Sequence, residues 1–199
     1  MRFFKSMHKS NCLIIVLLFV FLSASSSQES LPGILQFKNQ VFQFDTGDSL
    51  VLNADKQFVV LLFHAEQDTI GLDPGLSTEG RWRAINLLRM MKTINFTAFF
   101  TTPFRNNILT LQPLVDYKKT QPHYYDQSDI QVLIKDIENQ SPYPVMVMVH
   151  PETVGLIFEQ LTKSNLNMDL SANRSDKMIL IQRDRKQGNY WKVCTYKVR

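Results

Sequence analysis

Two apolar runs in this chain each end on a histidine. Phe58–Phe63 (FVVLLF) leads into His64 and Val145–Val149 (VMVMV) into His150, and both histidines begin a His-x-Glu triplet, His64-Ala65-Glu66 and His150-Pro151-Glu152. Imidazole changes charge near neutral pH, so it serves as nucleophile, proton carrier or metal ligand. An uninterrupted apolar run suits a strand buried on both faces, and in open α/β sheets ligands bind outside the carboxyl ends of such strands. Two imidazoles are therefore expected to face one crevice.

Other chemistries lack their partner residues. Zinc deaminases join His-x-Glu to Pro-Cys-x-x-Cys, and metalloproteases use His-Glu-x-x-His; neither partner occurs here, so no metal site is expected. There is no Gly-x-Ser-x-Gly elbow for a serine hydrolase and no glycine-rich phosphate loop of the mononucleotide or dinucleotide type, so no cofactor is expected either. Lys118-Lys119 suits a solvated helix end, where cations favour the dipole, and Arg183, Arg185 and Lys186 suit a solvated hairpin tip. Asn95-Phe96-Thr97 and Asn173-Arg174-Ser175 match the N-glycosylation acceptor pattern.

The elements that must position the histidines follow a leader. Arg2, Lys5 and Lys9 precede the apolar run Leu13–Leu22, which gives way to Ser23-Ala24-Ser25-Ser26-Ser27, the layout of a secretory signal peptide cleaved near residue 27. The chain is expected to be exported, periplasmic or secreted, with no membrane span in its mature form; the alternative is an anchor left uncleaved. Without the three leader cations and with no leader acid, the rest of the chain carries 19 basic against 18 acidic side chains. The basic balance thus belongs mostly to the leader and gives no reason to expect a nucleic-acid partner. Cys194 is the one cysteine beyond the leader, which excludes an intrachain disulfide in the mature protein.

Residues 28–55 read as an N-terminal extension, in which Leu31–Asn53 alternates apolar and polar positions around Gly33 and Asp45-Thr46-Gly47-Asp48, predicting two or three short strands or an irregular segment. Residues 56–199 read as one α/β domain, a mostly parallel sheet with helices on both faces that closes on a C-terminal β-hairpin. The Phe58–Phe63 strand precedes a helix from Thr78 to about Lys92, capped by Ser77 or Thr78 and burying Ile85, Leu88 and Met91. Phe96–Phe100 reads as the next strand, followed by a helix toward Tyr117 disturbed at Pro113. Ser128 is the expected cap of a third helix with Ile130, Leu133, Ile134 and Ile137 inward. Pro151 opens a fourth, with Val154, Ile157, Phe158 and Leu161 inward, and the strands Met178–Gln182 and Tyr190–Val198 form the hairpin.

Four segments now matter together: LLFHAEQ (Leu61–Gln67), LDPGLSTEGRWRA (Leu72–Ala84), TTPFRNNILTLQPL (Thr101–Leu114) and VHPETV (Val149–Val154). In order and spacing they resemble the histidine phosphatase superfamily, which includes the phosphoglycerate mutases, over roughly Phe58 to Val198. The resemblance implies that His64 attacks phosphorus and becomes a phosphohistidine that water hydrolyses, while His150 touches the same phosphoryl group. It also implies two arginines, whose planar forks bind phosphate oxygens. Here the position before the first histidine is Phe63, and the second arginine aligns with Asn106.

Phosphate contact then falls to Arg105, Asn106 and Thr153. Arg105 lies one position off, about 100° round a helix, and Asn106 donates through an uncharged amide. Thr153 either bonds back to the helix start or lines the pocket. Glu66 is read as a hydrogen-bonding or surface residue, Asp73 as fixing the turn before Ser77, and Tyr125 and Asp126 as starting the third helix or supplying a proton donor. The expected function is a catalytically impaired or inactive protein binding a small phosphorylated ligand or anion. The alternatives are an active phosphomonoesterase working through phospho-His64, and a vestigial cleft on a protein that binds partners through its surface.

Overall fold

Burial on both sides explains why the Phe58–Phe63 run shows no alternation. In the computed structural model, which describes residues 30–167, 174–184 and 188–197, this run forms strand β4 (Gln57–Leu62) and every residue of it is buried. Phe58, Val60 and Leu62 point to one face, and Val59, Leu61 and Phe63 to the other. The expected leader, Asn173 and residues 185–187 at the hairpin tip lie outside the described residues.

Every described element belongs to the unit Leu31–Arg199. Three short strands come first, β1 (Ile34–Lys38), β2 (Val41–Phe44) and β3 (Ser49–Val51), paired antiparallel as a small sheet. After β4 come α1 (Thr78–Met91), β5 (Ala98–Thr101), α2 (Arg105–Lys118), β6 (His123–Tyr124), α3 (Ile130–Asn139), β7 (Val145–Met148) and α4 (Pro151–Thr162). β8 (Lys177–Arg183) and β9 (Tyr190–Thr195) complete a six-stranded sheet of order β6-β5-β7-β4-β8-β9. Pairings from β6 to β4 are parallel, and those of β4 with β8 and of β8 with β9 are antiparallel, so the sheet is mixed and parallel where its helices cross over.

Leu87 and Met91 of α1 and Leu111 and Leu114 of α2 cover one face together with Phe42, Phe44 and Leu50 from the small sheet. Leu133 and Ile137 of α3 and Val154, Ile157 and Phe158 of α4 cover the other. The N-terminal strands therefore complete a core layer. The Gln182 side chain fixes their exit, accepting from Asn53 N and donating to Val51 O at 2.8 Å each.

Local details depart from the sequence reading for definable reasons. Helix α1 buries Arg83, Ala84, Leu87 and Met91 and leaves Ile85 and Leu88 half-buried, because an ion pair draws Arg83 inward. Asp129, not Ser128, caps α3, accepting from Val132 N, while Ser128 is tied to Asp126 in the preceding turn. Pro113 is accommodated inside α2, which runs unbroken to Lys118.

Helix α1 also approaches the segment after β4 very closely. Ser77 N donates to Glu66 O at 2.9 Å, and a Cβ added to Gly80 would fall 2.0 Å from that same carbonyl oxygen. Alanine gains about 1 kcal/mol of helix propensity over glycine, but overlap with a fixed backbone atom costs more. Gly80→Ala is expected to lose about 2–4 kcal/mol of stability in a denaturant titration.

Candidate functional site

The register of two neighbouring strands brings the histidines together. Leu62 on β4 pairs with Met148 on β7, and Val149 N donates to Leu62 O at 2.8 Å. His64 and His150 each lie two residues beyond that pair, so they leave the same sheet edge at the same level on adjacent strands.

Each imidazole is held through one nitrogen. His64 Nδ1 lies 2.8 Å from Ala65 O; a carbonyl only accepts, so Nδ1 carries the hydrogen, and in the neutral tautomer this selects Nε2 holds the lone pair. Ala65 is held in turn by Thr110 on α2, whose Oγ1 accepts from Ala65 N at 2.9 Å and donates to Asn106 O at 2.7 Å. His150 Nε2 lies 2.9 Å from Thr102 Oγ1 and 3.1 Å from Asn107 Nδ2. Because Asn107 Nδ2 can only donate, His150 Nε2 is the acceptor and the neutral ring carries its hydrogen on Nδ1. Phe104 meets this ring edge to face, with centroids 5.6 Å apart.

His150 is also the N-cap of α4 and makes no side-chain cap hydrogen bond, with Pro151 at the first position. The positive end of that helix dipole thus opens where the strand ends, a setting that favours anions. Burial lowers the His150 pKa from its ordinary 6.5 and the charge of His64 lowers it further, against the opposing pull of Glu152.

The remaining sequence candidates are placed as follows. Asn106 is buried, donates to Gln67 Oε1 at 2.8 Å and receives Asn107 N on Oδ1 at 2.7 Å. Arg105 is exposed and its guanidinium lies along Gly75, where an added Cβ would be 3.5 Å from Nε. Thr153 Oγ1 bonds back to His150 O at 3.4 Å. Phe63 is 1% exposed, packed in the core layer under α3 and α4.

Glu66 is an ion-pair residue: Arg83 Nε donates to both of its carboxylate oxygens at 2.9 Å, Nη2 adds a further contact, and Nη1 donates to Tyr196 O at 2.6 Å. Burial pushes the Glu66 carboxyl up, but hydrogen bonds from Arg83 and from backbone, with the charges of Arg83 and His64, outweigh it and hold the group below its usual range. Asp73 does more than shape its own turn, since Oδ1 accepts from Arg105 N at 3.0 Å and thereby caps α2 from a distance. Tyr125 donates to Met148 O at 2.6 Å, and burial pushes its phenol up, so it is a strut for β7.

Arg83, Thr102, Asn107 and Thr110 escaped the sequence reading. For Thr102, Asn107 and Thr110, polar residues interrupting the apolar pattern around Phe96–Leu114 were the available signal, but the pattern does not say which partner each one finds.

Solved structures that share this architecture include phosphatases. The protein histidine phosphatase SixA, complexed with tungstate, superposes with a TM-score of 0.55 at 13% identity, over 70% of this chain and 97% of its own. The chain has the histidine-phosphatase fold. A mycobacterial glucosyl-3-phosphoglycerate phosphatase complexed with inorganic phosphate gives 0.52 at 11% identity, over 71% of this chain and 97% of its own. Phosphoserine phosphatase from Entamoeba histolytica, complexed with 3-phosphoglyceric acid, gives 0.53 at 11% identity, over 68% and 94%. No protein-family model matches the sequence, and no curated protein does. At such identities the histidine-phosphatase fold is shared and the activity has to be argued from the site.

Among the described residues no group of three or more His, Cys, Asp or Glu gathers as metal ligands would, and no helix is long and apolar enough to cross a membrane.

Two outcomes follow for the His150 network. With its folded pKa below 6.5, His150 binds fewer protons folded than unfolded, so its contribution to stability is complete above pH 6.5 and disappears as pH falls through the folded value. The melting temperature should drop on acidification from pH 6.5, and His150→Gln should flatten that limb. Asn107→Asp would set a carboxylate where an amide now donates at 3.1 Å, and should raise the His150 pKa in an NMR titration of the imidazole.

Proposed function

We propose that this chain is an exported protein of the histidine-phosphatase fold whose crevice between His64 and His150 binds the phosphate group of a small ligand, with turnover impaired. The observation that carries this reading is the arrival of both imidazoles at one sheet edge, beside the uncapped start of α4. Two imidazoles and a helix amino end suit a phosphoryl group, which spreads negative charge over three oxygens. Tungstate, phosphate and phosphoglyceric acid in the related structures are ligands of the same class. The layout of the leader supports export.

Impaired turnover rests on Phe63 and Asn106. A phenylalanine enclosed in the core and an amide engaged with Gln67 offer no cationic clamp at the two positions where the family resemblance implies arginine. Losing one preorganised donor costs roughly 10²–10³-fold in rate, and two losses about 10⁴-fold if independent.

One observation favours the second reading, an active phosphomonoesterase. The His64 Nδ1–Ala65 O hydrogen bond leaves Nε2 free to attack phosphorus as the bond to the leaving oxygen breaks, after which water would cleave the phosphohistidine.

Inorganic phosphate and vanadate are expected to raise the melting temperature of the wild-type chain, and His64→Ala or His150→Ala to abolish the shift. Protonation of His150 strengthens anion binding and burial lowers its pKa from 6.5, so the shift should be larger near pH 5 than near pH 8. No stabilisation at either pH would remove the binding reading. Hydrolysis of an aryl phosphate is expected at background level; turnover above it that His64→Ala eliminates would decide for the active enzyme.

A further inference from the structure

The carboxyl edge of the sheet continues past His150. Strand order β6-β5-β7-β4 sets out Tyr124, Thr102, His150 and His64 in succession along the carboxyl edge of the sheet. Beside His150 opens a cavity of about 410 Å³ whose lining includes Thr102, Phe104, Tyr124, Tyr125 and Asp126. This volume falls in the range of about 300–1,000 Å³ usual for small-molecule sites. The cavity shares a wall with the histidine, since Thr102 Oγ1 is 2.9 Å from His150 Nε2 and the Phe104 ring meets the imidazole at 5.6 Å.

Its chemistry is aromatic and uncharged except at one point. Phe104 is 45% and Tyr124 59% exposed, so two large rings of the lining are open to solvent. The Tyr125 hydroxyl is committed to Met148 O and the residue is buried, so it backs the cavity without offering it a polar group. Asp126 accepts from Ser128 N and Oγ at 2.8 Å each, and its carboxylate repels a second anionic group. No lining residue of the cavity is cationic. Exposed rings without a cation select a flat apolar group and reject a second phosphate, and ring pairs gain from edge or offset contact.

The geometry points to an aromatic phosphomonoester as the ligand, its ring in the cavity formed by Phe104, Tyr124 and Tyr125 and its phosphate between His64 and His150. This inference rests on the phosphate-binding reading above and adds the leaving-group side of the ligand. A phenolic phosphate and a phosphotyrosyl side chain present the same group.

The test measures binding of inorganic phosphate, methylphosphonate and phenylphosphonate to the full chain by calorimetry. Phenylphosphonate should bind at least about fivefold more tightly than methylphosphonate, the factor expected for one or two ring contacts. In Tyr124→Ala and Phe104→Ala the ratio of the two phosphonate affinities should collapse toward one; being a ratio within a single variant, it is insensitive to loss of folded protein. Equal affinities in the wild type, or a ratio that survives both substitutions, would overturn the aromatic assignment while leaving phosphate binding intact. Failure of all three probes to bind would overturn the underlying reading and the inference with it. A phosphotyrosyl tripeptide binding more tightly than phenylphosphonate would support the same pocket and assign its source to a peptide.

Discussion

Parallel pairing of β4 with β7 is the constraint on which the site depends. The side-chain period of a strand is two, so a slip of one residue would turn one histidine to the opposite face relative to the other. Leu62 opposite Met148, extended by the Val149 N–H to Leu62 O bond, removes that freedom. The pairing is stabilised by burial on both sides, since the two core layers meet across β4 and β7. The apolar runs that make the strands fold also set where the imidazoles emerge.

The turn after β4 would be free to move if only the sheet held it. Instead it is gripped from both helices on its side. Thr110 of α2 receives Ala65 N, Ser77 at the head of α1 donates to Glu66 O, and Arg83 holds the Glu66 carboxylate. A buried ion pair adds little net stability, but removing one partner strands the other charge, which makes the pair a strong lock on geometry. Gly80 belongs to the same device, because only a residue without Cβ lets α1 come so close. These contacts fix the backbone that orients His64.

His150 is set differently, by a small polar network inside the fold. Thr102 and Asn107 both reach its Nε2, and Asn107 Oδ1 has no hydrogen-bond partner among the described residues. A neutral ring satisfies this arrangement, whereas a protonated ring would press an N–H against the Asn107 amide hydrogens. Burial and the network thus act in the same direction. An arriving anion acts in the opposite one, so the protonation of His150 and occupancy of the crevice are coupled.

What the sequence determined by itself was local and periodic. Ile130, Leu133, Ile134 and Ile137 at helical spacing, Pro151 at a helix start, Ser77 as a cap and continuous apolar runs as interior strands each follow from interactions within a few residues, and all are found as read. The mostly parallel α/β sheet followed from their alternation. Tertiary structure decided what each polar side chain holds: Asp73 caps a helix 32 positions away, Arg83 reaches Tyr196 across 113, and Asn107 meets His150 across 43. It also decided that Phe63 turns into the core beside His64. Periodicity records which face of an element is buried, but a hydrogen bond between distant segments leaves no period in the chain, because its partners meet only after the sheet and helices have packed.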